Sequence, residues 1–230
     1  ILILMCFYAF AASAWNLICG YAGTMSLGHS VYMGIGGYIS TILLETKGVS
    51  PWIGMLIGAA IAMAIGVLVS FPTFRLKGPY FTLASIAICE IFGTFVTNTE
   101  NLGPIPLKGG SGWSLTQTGY QFSKFEFASK LGYYYVAFIL MVIGVLVTWK
   151  MSRSKLGYYL VAIRSDDDAA RSLGINITKY KLIAMGISCF MISIAGTFYA
   201  QYFRYIGPDR IFSYDLSVQV ALIALIGGQG

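Results

Sequence analysis

The stretch Trp52-Ile-Gly-Met-Leu-Ile-Gly-Ala-Ala-Ile-Ala-Met-Ala-Ile-Gly-Val-Leu-Val-Ser-Phe71 contains no charged residue. A helix of that length crosses a hydrocarbon core of ~30 Å. Comparable runs recur at about 1–19, 27–44, 79–98, 132–150, 180–200 and 216–227. In lipid the backbone must satisfy its own hydrogen bonds, so long runs rich in Gly, Ala and Leu form helices rather than barrel strands. The expected fold is all-α: a polytopic transmembrane helix bundle of seven spans.

Composition agrees. Of the 230 residues, 57% are hydrophobic and 10% charged, with a mean hydropathy of +0.73. A soluble domain needs roughly 25% charged residues to cover its surface. The net charge of +6 does not signal nucleic-acid binding, because nearly half the cations crowd into one loop between spans. Cys6, Cys19, Cys89 and Cys189 lie in or beside apolar runs without a CxxC pair, and are expected to be buried free thiols. Residue 1 opens directly into an apolar run without a basic leader, so no cleavable signal peptide is expected. The chain is expected to be a single transmembrane domain over 1–230, trimmed at both ends.

Lys150, Arg153, Lys155, Arg164, Arg171, Lys179 and Lys181 mark the loop at 151–179 as cytoplasmic. Alternation then puts Arg75 and Lys77 inside as well. Segments 45–51, 99–131 and 201–215 fall outside, with Lys47, Lys108, Lys124, Lys130, Arg204 and Arg210 spread thinly along them. The N-terminus also falls outside.

The basic loop holds a capped short helix. Ser165 is the expected N-cap, Asp166, Asp167 and Asp168 fill the first turn, Ala169 to Leu173 continue, and Gly174 stops it. The result is a surface helix of about two and a half turns with opposite charges at its ends. Ala169 and Ala170, if exposed, would let another protein's groove approach closely; a solvated turn remains the alternative.

Gly20, Gly23, Gly28, Gly34, Gly36 and Gly37 are too many for a lipid-facing helix. They fit either a broken or re-entrant segment over Gly20–His29 inside the bundle, or a tight helix contact. His29, the one histidine, has no metal partners; a hydrogen bond near the cytoplasmic end of span two and a transport role both stay open. Glu90 is the acidic residue well inside a span. With Thr82, Thr94 and Thr97 or Asn98 it forms a polar stripe lining either the pathway or a helix contact. Gly28, His29, Thr82, Glu90 and Thr94 are the pathway-lining candidates. Lys108-Gly-Gly-Ser-Gly112 lacks the ending of a phosphate loop.

Asp168-Ala-Ala-x-x-x-Gly174 resembles the Glu-Ala-Ala loop of bacterial ABC-importer permeases, with Asp for Glu and without the Ile-x-Leu-Pro tail. That departure is similar to the branched-chain amino acid permease family, which shows the same Leu-Gly…Ala-Ile-Arg…Ala-Ala-x-x-Leu-Gly-Ile-Asn pattern. Further stretches share the resemblance: Asn16 to His29, Gly34-Ile-Gly-Gly-Tyr38, Arg75 to Ala84, Gly109-Gly-Ser-Gly112, Ser193-Ile-Ala-Gly-Thr-Phe-Tyr-Ala200 and Gly227-Gly-Gln-Gly230. It covers nearly the whole chain and is closest to the second of the two permease subunits. The resemblance implies a multi-pass permease of the bacterial cytoplasmic membrane, not itself an enzyme and without a cofactor. It would pair with a second permease subunit, as homo- or heterodimer. Two ATP-binding subunits on the cytoplasmic side and an extracytoplasmic substrate-binding protein near 99–131 complete the set, with membrane lipid and no nucleic acid. Arg164, Asp168, Ala169, Ala170 and Gly174 would couple to the ATPase.

The cargo implied is branched-chain or related aliphatic amino acids, with urea or short amides as the alternative. An ion-coupled carrier would need more intramembrane charge than Glu90. A membrane enzyme would need clustered His, Asp or Cys at the membrane edge.

Overall fold

A computed structural model describes residues 1–76, 78–103, 105–115, 119 and 121–228. Lys77 of the inner-side reading, and Gln229 and Gly230 of the last Gly-rich motif, lie outside the described residues. The helices are α1 (Leu2–Cys19), α2 (His29–Lys47), α3 (Pro51–Thr73), α4 (Pro79–Asn98), α5 (Lys130–Ser152), α6 (Lys155–Ser165), α7 (Asp167–Ser172), α8 (Ile177–Phe203), α9 (Pro208–Ile211) and α10 (Tyr214–Gly227). Among the described residues, six helical stretches are long and apolar enough to cross a membrane: α1, α3, α4, α5, α8 and Pro208–Gly227.

The expected span at 27–44 is present as α2 but is not among those six. Its 19 residues would extend about 28 Å, yet Ser30, Gly34, Gly36, Gly37, Ser40 and Thr41 dilute its apolar character. Those residues are all buried, because α2 packs against α3 and α8 in the bundle centre. A helix shielded from lipid by other helices can carry small polar residues, and small residues let backbones approach. At Gly36 an added Cβ would overlap Ser193, and at Gly196 it would overlap the Met33 carbonyl. α1 packs on α5, α8 and α10, with Phe10 and Trp15 fully buried. By contrast α3, α4 and α5 expose Leu56, Leu68, Leu83, Ile91, Phe138 and Leu146, as lipid-facing helices do. Cys6, Cys19, Cys89 and Cys189 are all buried and in no disulfide.

At one end of the bundle the segment between α4 and α5 forms a cap rather than a slack loop. It contains β1 (Asn101–Leu102) paired antiparallel with β2 (Ile105–Pro106), and β3 (Trp113–Ser114) paired with β4 (Tyr205–Ile206), which follows α8. The Lys108 ammonium lies 3.6 Å from the Trp113 ring centroid. Trp52 Nε1 at the start of α3 donates to the Phe122 carbonyl at 2.9 Å. Arg204, left-handed at φ 54°, reaches Glu126 at 3.7 Å and donates to the Tyr133 hydroxyl at 3.2 Å. The opposite end carries the connections α1–α2, α3–α4 and α5–α8, and these three converge.

Candidate functional site: the basic loop and the cleft beside it

The loop between α5 and α8 contains two helices where one short helix was expected. Ser154 caps α6, its Oγ accepting from the Gly157 amide at 3.4 Å. Leu160 and Ile163 are buried and anchor α6 to the body. Ser165 is the last residue of α6, not the cap of the next helix; its Oγ donates back to the Val161 carbonyl at 3.0 Å. The cap of α7 is Asp166, extended at φ −160° and ψ 112°. Its carboxylate accepts from the Asp168 and Ala169 amides at 2.8 and 3.1 Å. A negative charge on those free amides also suits the helix dipole.

α7 is six residues long, shorter than expected. It ends in a Schellman arrangement: the Gly174 amide donates to the Arg171 carbonyl and the Ile175 amide to the Ala170 carbonyl. Gly174 has φ +80°, the left-handed state this motif places at a helix end. Asp167 pairs with Lys181 of α8 at 3.2 Å, fixing α7 from the other side.

One expectation about which residues face outward is corrected. Ala170 is buried in this chain, where Ile163 of α6 and Ile177 of α8 close over it. Ala169, one position round, remains exposed. The apolar side chain that does stand out is Leu173, 80% exposed between Arg171 and the glycine stop. The sequence contained that signal, a large aliphatic at the end of a charged helix in a basic loop. Asp168 is exposed, its amide held by the cap. Arg164 turns the other way: its guanidinium donates to the Gly20 carbonyl at the end of α1.

Between the loop and the membrane helices lies a cleft of about 860 Å³. One wall is Ala22–Met25, another the start of α4 with Thr82, the third Ile163–Asp168. The Gly20–Gly28 segment here is broken, as one reading of its glycines expects: after Gly20, which still has helical dihedrals as the cap of α1, the chain leaves the helix until His29 although Ser26, Leu27 and Gly28 are buried. Gly28 leaves no room for a side chain against the Ser85 carbonyl. His29 begins α2 fully enclosed, with Nδ1 3.0 Å from Ser26 Oγ and Nε2 2.9 Å from Ser188 Oγ. Ser188 donates onward to the Ala14 carbonyl at 2.6 Å. Thus His29 ties α1, α2 and α8 together and lines neither this cleft nor the groove described next.

The stripe on α4 is divided. Thr82 opens to the cleft and donates to the Met25 carbonyl at 2.9 Å. Glu90, Thr94, Thr97 and Asn98 line a separate groove of about 530 Å³ on the outside of the bundle, opposite Asp209, Ser213, Tyr214 and Asp215. Glu90 does not face the interior of this chain. Cys89 occupies that direction, donating to the Phe212 carbonyl at 2.8 Å, and Glu90, a step further round the helix, is exposed.

Taken together, these features define a multi-pass membrane helix bundle with a capped two-helix loop at one end. The family described as "Branched-chain amino acid transport system / permease component" matches residues 1–230, and the chain belongs to that family. It is therefore a multi-pass protein of the inner membrane. Two similar proteins are the high-affinity branched-chain amino acid transport system permease proteins LivM of Salmonella typhimurium and of Escherichia coli. They are 29% and 30% identical over 94% of this chain and 55% of their own length. The ribose import permease protein RbsC of Escherichia coli is 24% identical over 76% of this chain and 52% of its own. The chain thus spans about half the length of these three relatives. No solved structure matches it.

Proposed function

We propose that the chain is a permease subunit of an ATP-driven importer that moves branched-chain or related aliphatic amino acids into the cytoplasm. The supporting observation is the loop: two helices capped and tied to the body, presenting the exposed Leu173 at the end of a helix with an acidic first turn and Arg171 in its last. A separate ATPase docks there from the cytoplasmic side, and the chain hydrolyses nothing and holds no cofactor. Two such ATP-binding subunits drive a pair of permease subunits, and an extracytoplasmic binding protein delivers substrate to the cap.

Among the pathway candidates, Glu90 and Thr94 have the most suitable position. A carboxylate exposed midway along a membrane helix is costly against lipid and has to face protein or water. The second permease subunit covers the α4–α10 groove, and substrate passes along it. The amino acid cargo is favoured by the LivM relatives, whose printed substrates are branched-chain amino acids. The test is reconstitution of the full-length protein with its partner subunits and binding protein, followed by ATP-dependent uptake of labelled leucine against unlabelled valine, urea, acetamide and ribose. Competition by valine alone is expected; absence of ATP-dependent uptake refutes the importer reading, and competition by urea or ribose refutes the cargo.

A further inference from the structure

We propose that Arg164 is a positioning residue linking the docking loop to the broken segment 20–28, so that movement of the loop opens and closes this segment as a gate on the cytoplasmic side of the pathway. The proposal rests on the importer reading above.

Irregular backbone at membrane depth persists where other groups satisfy its polar atoms. Segment 20–28 is held by four side chains from three helices. Trp15 Nε1 of α1 donates to the Ser26 carbonyl at 2.6 Å. Thr82 of α4 donates to the Met25 carbonyl at 2.9 Å, and Ser85 Oγ accepts from the Leu27 amide at 2.9 Å. Arg164 of α6 donates to the Gly20 carbonyl. The first three donors and acceptors belong to the membrane bundle; Arg164 belongs to the loop.

The stem of Arg164 also lies on Gly23. A Cβ there would sit 2.9 Å from Arg164 Cγ, and Gly23 has φ +66°, so this position is fitted to the arginine in both space and conformation. On its other side Arg164 is joined to α7 through its neighbours. Ile163 packs on Ala170, and Asp166, two residues on, caps α7. A displacement of α7 therefore passes through these contacts to Arg164, and Arg164 carries it to residues 20–23. The cleft of about 860 Å³ between the two walls gives that displacement room.

A purely structural role is the competing account: a cation satisfying the last carbonyls of α1. It predicts reduced stability, with the segment still following the nucleotide state. The two are separated in the assembled transporter with the four native cysteines replaced and one cysteine at Met25→Cys, 41% exposed at the cleft. A membrane-impermeant maleimide is applied from the cytoplasmic side, without nucleotide and with ATP trapped by vanadate. In the parent the labelling rate should differ severalfold between the two states. In Arg164→Ala that difference should vanish and uptake should fall about tenfold or more, the size of one charge-assisted hydrogen bond, while the ATPase stays bound. Arg164→Lys should restore part of both signals, and Gly23→Ala, which displaces the arginine stem, should repeat the loss. Nucleotide-dependent labelling in Arg164→Ala equal to the parent's overturns the proposal, as does labelling in the parent that ignores nucleotide or loss of the ATPase from Arg164→Ala. A parent that binds no ATPase overturns the importer reading itself, a separate result.

Discussion

Replacing Leu173 by alanine tests the docking surface without touching the fold. The side chain is 80% exposed, and the hydrogen bond from residue 173 to the helix comes from its backbone amide to the Ala169 carbonyl, which alanine keeps. If the ATPase covers this side chain, docking removes up to four-fifths of its surface from water. Full burial of a leucine contributes about 1.5–3 kcal/mol, so four-fifths is about 1.2–2.4 kcal/mol. Since ~1.4 kcal/mol is tenfold, the Kd for the ATPase should rise roughly 7- to 50-fold, toward the low end because alanine retains one methyl. The assay is titration of labelled ATPase onto the permease pair in nanodiscs, beside a thermal melt of the permease alone. The melt should not move. Ala170→Leu should behave in the opposite way: overfilling the Ile163–Ile177 contact costs about 1–3 kcal/mol within the chain, loosening the loop first. A Kd for Leu173→Ala within twofold of the parent would refute the argument that this face is where the ATPase sits.

Gly174→Val places a β-branched residue at φ +80°, at a penalty of about 1–2 kcal/mol; protease added to the loop side should cleave near residue 174 faster than in the parent, and an unchanged rate would show the turn relaxes freely. Glu90→Leu should reduce uptake more than Glu90→Gln, because leucine removes all polar capacity from the groove; equal, full uptake in both would dismiss the groove as pathway. Single cysteines at Ser165 and Ser123, both exposed, should label from opposite sides of the membrane, Ser165 from the cytoplasm, and labelling of both from outside would invert the topology.

The spans were legible because lipid imposes one rule on every segment, and Trp52–Phe71 obeys it without help from any neighbour. The basic loop was legible in part: the glycine stop at Gly174 acts within a few residues and was found, whereas the cap fell one residue early, on Ser165 instead of Asp166, and α6 was not expected. Rotation failed as well. Ala169 and Ala170 are adjacent in sequence and differ by ~100° around a helix; which of them is buried depends on Ile163 and Ile177, contributed from either side of α7 by α6 and α8. The same angular step separates Cys89, buried, from Glu90, exposed. Thr82 precedes Glu90 by eight residues, ~80° past two full turns, enough to put it in a different cavity from the rest of its stripe.

The glycines between residues 20 and 37 show why sequence alone left two explanations standing. Both are correct, in different halves. Gly20, Gly23 and Gly28 belong to non-helical backbone or its edges, and at Gly23 φ +66° requires the freedom that only a missing Cβ gives. Gly34, Gly36 and Gly37 lie in regular helix, where the missing Cβ serves contact: Phe212, Ser193 and Ile206 occupy the space. One chemical feature therefore both breaks a helix and lets the next one pack. The division falls at His29, whose two ring nitrogens hold the last turn of the break through Ser26 and the core of α8 through Ser188. No spacing rule marks that boundary, because Ser188 meets His29 only once α8, some 160 residues later in the chain, has been brought against α2.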